Sequence, residues 1–355
     1  MTYPALPADR PLLDPAPEYA KWRDEPIRRV TVWGDNSPWL ITRHADARAV
    51  LADPRFSADT SAPGFPGLQP QAPPRAPGML FMMDAPDHTR LRRVLMPEFT
   101  VRRVESLRQP LSDICVSLLD ALVANGATAA DLVDGYTLPL PSLAICHILG
   151  VPYADREFFQ QQAKSVIDMH LPPADRLAAR IALHRYLGDL LAQRTADPAD
   201  DLLSRLATQR VAPGDITAAE AVGLASAVLV AGHETTAHML ALSVVALLRH
   251  PDQLATFQAD PSSAIEELLR YLTVAHSGMR RIAVSDVEVD GTLIRAGEGV
   301  LVALQAANRD SAVYPAPDEL DLGRNTRQHL ALGHGPHQCI GHADRKSTRL
   351  TPVTQ

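Results

Sequence analysis

The decapeptide Leu-Gly-His-Gly-Pro-His-Gln-Cys-Ile-Gly at residues 332–341 places one cysteine in a turn rich in glycine. A thiolate is a strong donor to iron, and a tight loop can direct backbone N–H groups at its sulfur. Such a loop needs residues that accept a positive φ, and Gly335 and Gly341 are expected to supply them. A buried free cysteine is the alternative, because unpaired cysteines often pack as small apolar residues. Cys339 is therefore a candidate iron ligand.

The stretch contains a Gly-x-Gly-x-His-x-Cys-x-Gly core with every fixed position in place, although Leu332 stands where a phenylalanine usually leads. On these residues the chain resembles the haem-binding loop of the cytochrome P450 family. The resemblance implies a mainly α fold with a small β region, haem b (iron protoporphyrin IX) as the cofactor, and Cys339 as its axial ligand.

Composition restricts the class of protein. The 355 residues are 46% hydrophobic, which is typical of a globular chain, and the net charge of -7 argues against nucleic-acid binding. The cysteines Cys115, Cys146 and Cys339 show no Cys-x-x-Cys spacing, so neither a zinc site nor a disulfide framework is indicated. The chain does not open with a basic start followed by an apolar run, which predicts a cytoplasmic protein without a signal peptide or membrane anchor.

The hydrophobic pattern predicts one helix-dominated domain over residues 1–343. Residues 29–43 and 280–303 are predicted to form strands, with a hairpin turn at Asp290-Gly291. The region 88–250 is predicted to be helical with breaks at prolines. Residues 61–78 contain six prolines, which exclude regular structure. A loop of this length in a compact domain is usually functional.

A long helix is predicted from Thr217 to about Arg249. Thr217 and Glu220 have the spacing of a capping box, and residues 221–231 are almost wholly apolar, which indicates burial on most sides. A membrane span is the alternative, but the polar residues 232–236 in the middle of the helix would be costly in lipid. Polar groups buried in a core are the preferred interpretation.

The sequence Ala-Gly-His-Glu-Thr-Thr at residues 231–236 suits a functional break in that helix. A threonine hydroxyl can bond back to a carbonyl and loosen the helix, and a neighbouring carboxylate can relay protons. The segment is similar to the oxygen-binding segment of cytochromes P450. The similarity implies that Thr235 holds dioxygen and water, and that Glu234 connects them to bulk solvent. A kinked core helix with satisfied polar groups is the alternative.

Glu267 and Arg270 are one turn apart in a helix that Ser262 is predicted to cap. At this spacing they could equally form an ordinary surface ion pair. The resemblance implies instead that the pair is buried, is joined by Arg324, and supports the haem site structurally.

Haem carries two carboxylates, so a buried haem needs cations or other donors nearby. His88 and Arg92 are spaced i, i+4 in a segment similar to the one in which the family binds these propionates. Arg281 and His337 match the remaining family contacts, so the resemblance assigns all four residues to cofactor binding. Taken singly, each could be a solvated charge.

The resemblance implies a bacterial monooxygenase of the type frequent in actinobacterial secondary metabolism. It would insert one oxygen atom from O2 into a lipophilic small molecule by hydroxylation or epoxidation, with electrons from a ferredoxin and a ferredoxin reductase. Residues 61–81, 227–231 and 274–278 would line the substrate pocket by family analogy. By the same resemblance, the electron donor would bind to four arginines near the predicted helix of His88: Arg90, Arg93, Arg102 and Arg103. The alternative is that these arginines form a solvent-exposed face without a binding partner.

After Gly341 the family continues with an apolar helix, but residues 344–355 are polar and show no helical stripe. We expect this tail to be non-native and the fold to lack its C-terminal portion. A truncated non-catalytic remnant and a haem binder without turnover are the alternative functions. Peroxide in place of O2 is a further alternative, against which the intact Glu234–Thr235 pair argues.

Overall fold

The computed structural model describes residues 12–22, 25, 27–32, 34–67, 76–124, 129–168 and 171–344. Every residue of the predicted non-native tail except Asp344 lies outside these ranges, as do residues 68–75 of the proline-rich segment. Within them helices dominate and strands form a small region, which confirms the predicted mainly α fold.

The chain divides into two compact units. The first unit comprises Met1–Arg75, Phe81–Asp84 and Leu242–Thr354, and it contains the strands and the cysteine loop. The second comprises Ala76–Leu80 and Ala85–Ala241, and it contains most of the long helices. The single domain over residues 1–343 stays a prediction.

The helices of the described residues follow the predicted breaks at prolines. In chain order they are α1 (Glu18–Lys21), α2 (His44–Ala52), α3 (Asp87–Leu95), α4 (Val101–Val123), α5 (Pro139–Leu149), α6 (Arg156–Ile167), α7 (Pro173–Ala196), α8 (Leu202–Leu206), α9 (Ala218–Gly232), α10 (Glu234–Arg249), α11 (Leu254–Ala259), α12 (Pro261–Leu272) and α13 (Leu304–Ala307).

Two helix starts test the capping predictions. At α9, Thr217 Oγ1 accepts the N–H of Glu220 at 3.2 Å and Glu220 Oε2 accepts the N–H of Thr217 at 2.8 Å, which confirms the capping box. At α12 the prediction was wrong, because Asp260 rather than Ser262 is the N-cap and accepts the N–H of Ser263 at 3.2 Å. Proline favours the first helical position, so Pro261 moves the cap to the residue before it.

The strands form one mixed sheet and one hairpin within the first unit. The five-stranded sheet has the order β1-β2-β7-β4-β3, with β2 and β7 parallel and the other neighbours antiparallel. Strands β5 and β6 form the hairpin, and Asp290 and Gly291 turn between them with φ of 45° and 74°, which confirms the predicted turn. The strands are β1 (Ile27–Arg29), β2 (Trp39–Ile41), β3 (Phe56–Ser57), β4 (Met279–Ala283), β5 (Val287–Val289), β6 (Thr292–Ile294) and β7 (Gly299–Val302).

The apolar core of the first unit extends from the sheet to the start of the cysteine loop. Ile41 on β2 and Val300 on β7 pack with Val50 and Leu51 of α2, and Leu330 belongs to the same cluster. Burying one such aliphatic side chain stabilises a fold by about 1.5–3 kcal/mol. The segment before residues 332–341 is thereby anchored in the core.

Glycines hold both ends of the proline-rich segment against backbone. In the first unit, a Cβ on Gly64 would lie 2.3 Å from the carbonyl oxygen of Gly297. In the second unit, a Cβ on Gly223 of α9 would lie 1.7 Å from the carbonyl oxygen of Pro77. Real Cβ atoms do not approach so closely, so both crossings require glycine.

One helical run in the described part of the chain, Ala218–Arg249, has the length and apolar composition of a membrane span. The core helix of a globular protein has the same properties. Ala221, Leu224 and Ala225 of α9 are completely buried by protein, which favours the core interpretation.

Candidate active site

The cysteine loop turns at glycines with positive φ. Gly333 and Gly335 have φ of 73° and 72°. A Cβ on Gly335 would lie 2.3 Å from the carbonyl oxygen of Leu51, so the loop rests directly on the end of α2. The expectation for Gly341 was wrong, because that residue lies in the 3-10 turn Ile340–Asp344 without a positive φ. The left-handed positions lie before the cysteine because the chain reverses there to approach α2.

Cys339 closes the loop and is exposed. Its N–H donates to the carbonyl oxygen of Leu332 at 2.9 Å, and its own carbonyl accepts the N–H of His342 at 3.0 Å. A Cβ on Gly341 would be 3.7 Å from the cysteine sulfur, which is an ordinary contact. The backbone on both sides of Cys339 is therefore fixed while its side chain remains accessible.

The other two cysteines lie within helices. Cys146 is completely buried in α5, and burial raises the pKa of its thiol to about 12. Cys115 lies partly buried in α4. Over the ranges that the structure describes, no three or more His, Cys, Asp or Glu side chains converge on a point that could hold a metal ion. Among the three cysteines, the exposed Cys339 is therefore the candidate iron ligand.

A buried cation lies on β4. Arg281 is 5% exposed, donates to the carbonyl oxygen of Arg280 at 2.7 Å, and forms no ion pair with any described carboxylate. Burial lowers the pKa of Arg281 to about 10, while the negative charge of Asp84 acts in the opposite direction. Since a buried charge without a partner is costly, Arg281 is suited to an anionic ligand such as a cofactor carboxylate.

Asp84 also connects a second predicted cofactor contact to the first unit. His337 Nε2 lies 3.9 Å from Asp84 Oδ1. Asp84 accepts hydrogen bonds from the hydroxyl of Ser57 and, at 2.9 Å, from the N–H of Ala58. Two donors on the β3 side therefore fix this carboxylate near His337 and Arg281. Sequence reasoning missed Asp84, although it opens the same Asp-Ala-Pro-Asp-His motif that pointed to His88.

His88 and Arg92 lie in α3, which belongs to the second unit. His88 is 3% exposed and Arg92 is partly buried. Their i, i+4 spacing places them on one face of the helix, as predicted. A buried imidazole and a partly buried guanidinium on one face can both donate to carboxylates, so they too fit a group that carries propionates.

The long helix breaks where its polar residues lie. α9 ends at Gly232 and α10 begins at Glu234, with His233 between them at φ −78° and ψ −75°. The hydroxyl of Thr235 donates to the carbonyl oxygen of Ala231 at 2.6 Å. The predicted loosening of the helix by a threonine hydroxyl is therefore present.

Glu234 is half-buried beside this break. Burial raises the pKa of its carboxyl, the neighbouring His238 lowers it, and Asp168 raises it. Burial also lowers the pKa of His233. A carboxyl with a raised pKa retains its proton to higher pH than usual, which is suited to a group that gives protons to the break in the helix.

The Glu234→Gln variant is expected to be more stable than the parent chain at neutral pH. The folded-state pKa of Glu234 is raised above 4.5, so its contribution to stability is present below that pH and is lost as the pH rises through the folded pKa. Melting temperatures should therefore coincide near about pH 4 and diverge in favour of the variant towards about pH 8.

Glu220→Gln provides a control of opposite sign. The hydrogen bond from Arg90 holds the pKa of Glu220 below its usual value, so the parent chain should exceed this variant in stability at neutral pH and lose that advantage as the pH falls. A Glu234→Gln variant that melts below the parent chain at every pH would contradict the raised pKa.

A buried network surrounds Glu267 and Arg270, which are both fully buried in α12. Arg270 Nε and Nη2 donate to the two carboxylate oxygens of Glu267 at 2.7 and 2.8 Å. Arg324 Nε donates to Glu267 at 3.2 Å. Arg270 also donates to the carbonyl oxygens of Asn308 and Pro317, at 2.8 Å each. The bidentate pair thus joins α12 to the chain that leads towards the cysteine loop.

Sequence reasoning missed a second buried arginine beside this network. Arg309 is 1% exposed, its guanidinium lies 4.0 Å from the centre of the Tyr271 ring, and it donates to the Tyr271 carbonyl oxygen at 3.0 Å. Asp318 lies 3.3 Å from it. The signal available in the sequence was the polar triplet Asn-Arg-Asp at 308–310, directly after the apolar residues of β7 and α13.

Comparisons with known proteins find relatives of this chain. The family model described as "Cytochrome P450" matches residues 262–343, which include Glu267, Arg270, Arg324 and Cys339. The chain is 45% identical over 348 residues to Cytochrome P450-SU2 of Streptomyces griseolus, covering 96% of this chain and 85% of that protein. It is 43% identical over 346 residues to the Vitamin D3 dihydroxylase of the same organism, covering 95% and 85%.

Solved structures have the same fold. The crystal structure of GfsF superposes with a TM-score of 0.89 at 40% sequence identity, covering 98% of this chain and 89% of that one. A likeness of this extent includes both units and the cysteine loop.

Proposed function

The chain belongs to the cytochrome P450 family and is a P450 monooxygenase, and from that premise we propose that it inserts one oxygen atom from O2 into a lipophilic small molecule by hydroxylation or epoxidation. The proposal includes haem b as the cofactor and a ferredoxin with its reductase as the source of electrons.

The observation that carries the proposal is the cysteine loop. Positive φ at Gly333 and Gly335 and the hydrogen bond from Cys339 to Leu332 present one accessible sulfur on a fixed backbone. Thiolate is the axial ligand by which haem enzymes favour cleavage of the O–O bond. The buried cation Arg281 independently supports a cofactor that carries carboxylates.

When bound, haem supplies the activation of O2 and the transfer of its oxygen atom. In the proposed arrangement Cys339 holds the iron, while His88, Arg92, Arg281 and His337 hold the propionates. Neutralising the propionates lets a polar cofactor be buried at low cost.

Protons reach the break in the helix through Glu234 and Thr235 in this proposal. The raised pKa of Glu234 keeps a proton available at its carboxyl, and its half-exposed position allows exchange with solvent. The Thr235 hydroxyl already bonds to Ala231, so it is oriented and can accept a second hydrogen bond from water. The pair supports use of O2 rather than peroxide, because peroxide brings its own protons.

The substrate proposed is bulky and lipophilic. Three segments that the family analogy assigns to the pocket are mostly small and apolar: residues 61–81, 227–231 and 274–278. One relative, the Vitamin D3 dihydroxylase, is named for a lipophilic compound. An apolar pocket selects by shape, so these residues support a class of substrate and not one compound.

The electron donor proposed is acidic and meets the arginines near α3. Arg90 is bound to Glu220, and Arg103 lies 2.9 Å from Asp200. Arg93 and Arg102 are exposed and are therefore the better candidates for contact with a ferredoxin. A ferredoxin and its reductase would place the reaction in the cytoplasm.

The experiment that tests the function is the reduced carbon monoxide spectrum of the full chain. A red-shifted Soret band is expected, because a thiolate ligand shifts this band relative to other haem proteins. Purified protein reconstituted with haem and showing no such band would favour the non-catalytic remnant. A normal band without product formation by a supplied ferredoxin pair would favour the haem binder without turnover.

Thr235→Ala is expected to uncouple electron use from product formation. A positioned proton-transfer group contributes roughly 10²–10⁴-fold, and water can replace part of this, so product per NADH should fall by about tenfold. The measurement compares NADH consumption, peroxide release and product for one substrate.

Thr236→Ala is the matched control, because Thr236 is the adjacent, exposed threonine. Its coupling should equal that of the parent chain. Equal coupling in the two alanine variants would show that Thr235 has no role in proton delivery.

A further inference from the structure

The backbone that accepts the Cys339 N–H is itself held by a buried asparagine. Cys339 donates to the carbonyl oxygen of Leu332 at 2.9 Å. Two residues earlier, the N–H of Leu330 donates to Oδ1 of Asn308 at 2.7 Å. Asn308 is completely buried. A shift of this side chain would therefore reach the cysteine through a short stretch of fixed backbone.

Asn308 also connects that backbone to α12. Its side-chain Nδ2 donates to Thr273 Oγ1 at 2.8 Å, and its backbone carbonyl oxygen accepts a hydrogen bond from Arg270 at 2.8 Å. Thr273 has φ of 38°, which is rare for a β-branched residue and is kept only where surrounding contacts enforce it. Its hydroxyl donates to the Arg270 carbonyl oxygen at 2.7 Å. The side-chain amide of Asn308 thus bonds to Thr273, next to α12, through its nitrogen and to Leu330 through its oxygen.

A histidine holds the next N–H of the same segment. Nδ1 of His329 accepts the N–H of Ala331 at 3.1 Å. A ring nitrogen that accepts carries no proton, so in this geometry the ring is neutral with its proton on Nε2. Nε2 lies 3.4 Å from a carboxylate oxygen of Glu266 on α12, and the His329 side chain is fully buried. His329 thus holds the Ala331 N–H from a buried side chain that lies beside α12.

We propose that Asn308 and His329 are positioning residues for Cys339, which hold residues 330–332 so that the Leu332 carbonyl can fix the cysteine N–H. The proposal rests on the haem-thiolate function proposed above. Without either side chain the Leu332 carbonyl can move and the Cys339 N–H loses its acceptor, so Cys339 would hold a bound haem less firmly.

The test uses Asn308→Ala and two replacements of His329 in the haem-loaded full chain. Asparagine at 329 can place its carbonyl oxygen where Nδ1 accepts from Ala331, whereas glutamine reaches towards Glu266 and loses that acceptor. The readout is the ratio of the unshifted to the red-shifted Soret band under carbon monoxide, because only a thiolate-bound haem gives the red shift. We expect this ratio to rise about fivefold, the effect of one lost hydrogen bond, in Asn308→Ala and His329→Gln, and to stay near the parent value in His329→Asn.

Asn36→Ala and His250→Asn are the matched controls. Asn36 bonds to Gly67 near the β1–β2 turn, and His250 bonds to Ala246 at the end of α10. Both should keep the parent ratio. The proposal would be overturned if the variants of Asn308 and His329 melted at lower temperature but kept the parent ratio. Equal ratios in His329→Asn and His329→Gln would also overturn it. This second comparison remains possible even if Asn308→Ala does not fold. A parent chain without any thiolate band would instead refute the proposed function.

Discussion

Cys339→Ala is expected to abolish both the red-shifted Soret band and product formation. Alanine has no donor for iron, and an imidazole from His337 or His342 in its place would not give the red shift of a thiolate. The hydrogen bonds that fix residue 339 use only backbone atoms, so the loop should keep its shape. The measurement is the reduced carbon monoxide spectrum of parent and variant at equal haem content, followed by turnover.

Cys115→Ala is the matched control for this variant. Cys115 is a partly buried thiol in α4, within the second unit. Its removal should leave the band at its parent position and intensity. A red-shifted band that survives in Cys339→Ala would require a different thiolate and would refute the assignment of the ligand.

Arg270→Met is expected to destabilise the fold by about 3–5 kcal/mol, because removing one partner of a buried ion pair leaves the other charge only partly compensated. Glu267 would keep Arg324 at 3.2 Å, but it would lose both hydrogen bonds from Arg270. The backbone carbonyls of Asn308 and Pro317 would also lose their donor. The midpoint of urea unfolding, read by circular dichroism, measures the loss.

Two further variants separate burial from spacing. Arg108 and Glu105 form an ion pair with the same i, i+3 spacing at 2.6 Å on the surface of α4, so Arg108→Met should change the midpoint little. The double variant Glu267→Leu with Arg270→Met should be more stable than Arg270→Met alone, since it removes the buried carboxylate that has lost its bidentate partner. Equal losses in Arg270→Met and Arg108→Met would contradict the role of burial.

Local chemistry explains which parts of this fold could be predicted. The capping box of Thr217 and Glu220 involves residues three apart, and the Asp290–Gly291 turn depends on two adjacent residues that accept positive φ. The break at His233 likewise follows from neighbouring residues. Ser262 was wrongly assigned as a cap because several cap-forming residues surround Pro261, and only the proline's preferred position distinguishes them.

Tertiary contacts explain what could not be predicted. Neither Asn308 nor Arg309 shows by type or spacing that it is buried, and both positions are set by Tyr271 and Thr273 on another helix. Arg324 lies 57 residues from Glu267, so only the family resemblance indicated their contact. The positive φ lies at Gly333 and not at the predicted Gly341 because of how the loop approaches α2, and no local sequence pattern encodes that approach.

The parallel pairing of β2 with β7 has a consequence for synthesis on the ribosome. The indole N–H of Trp39 on β2 donates to Glu298, 259 residues later, at 2.7 Å just before β7. Until that part of the chain has emerged, β1 and β2 have an open edge, and unpaired strand edges attract other chains. Domains usually fold as units while they are synthesised. This sheet is instead completed late, so the nascent chain carries an unpaired strand edge through most of its translation.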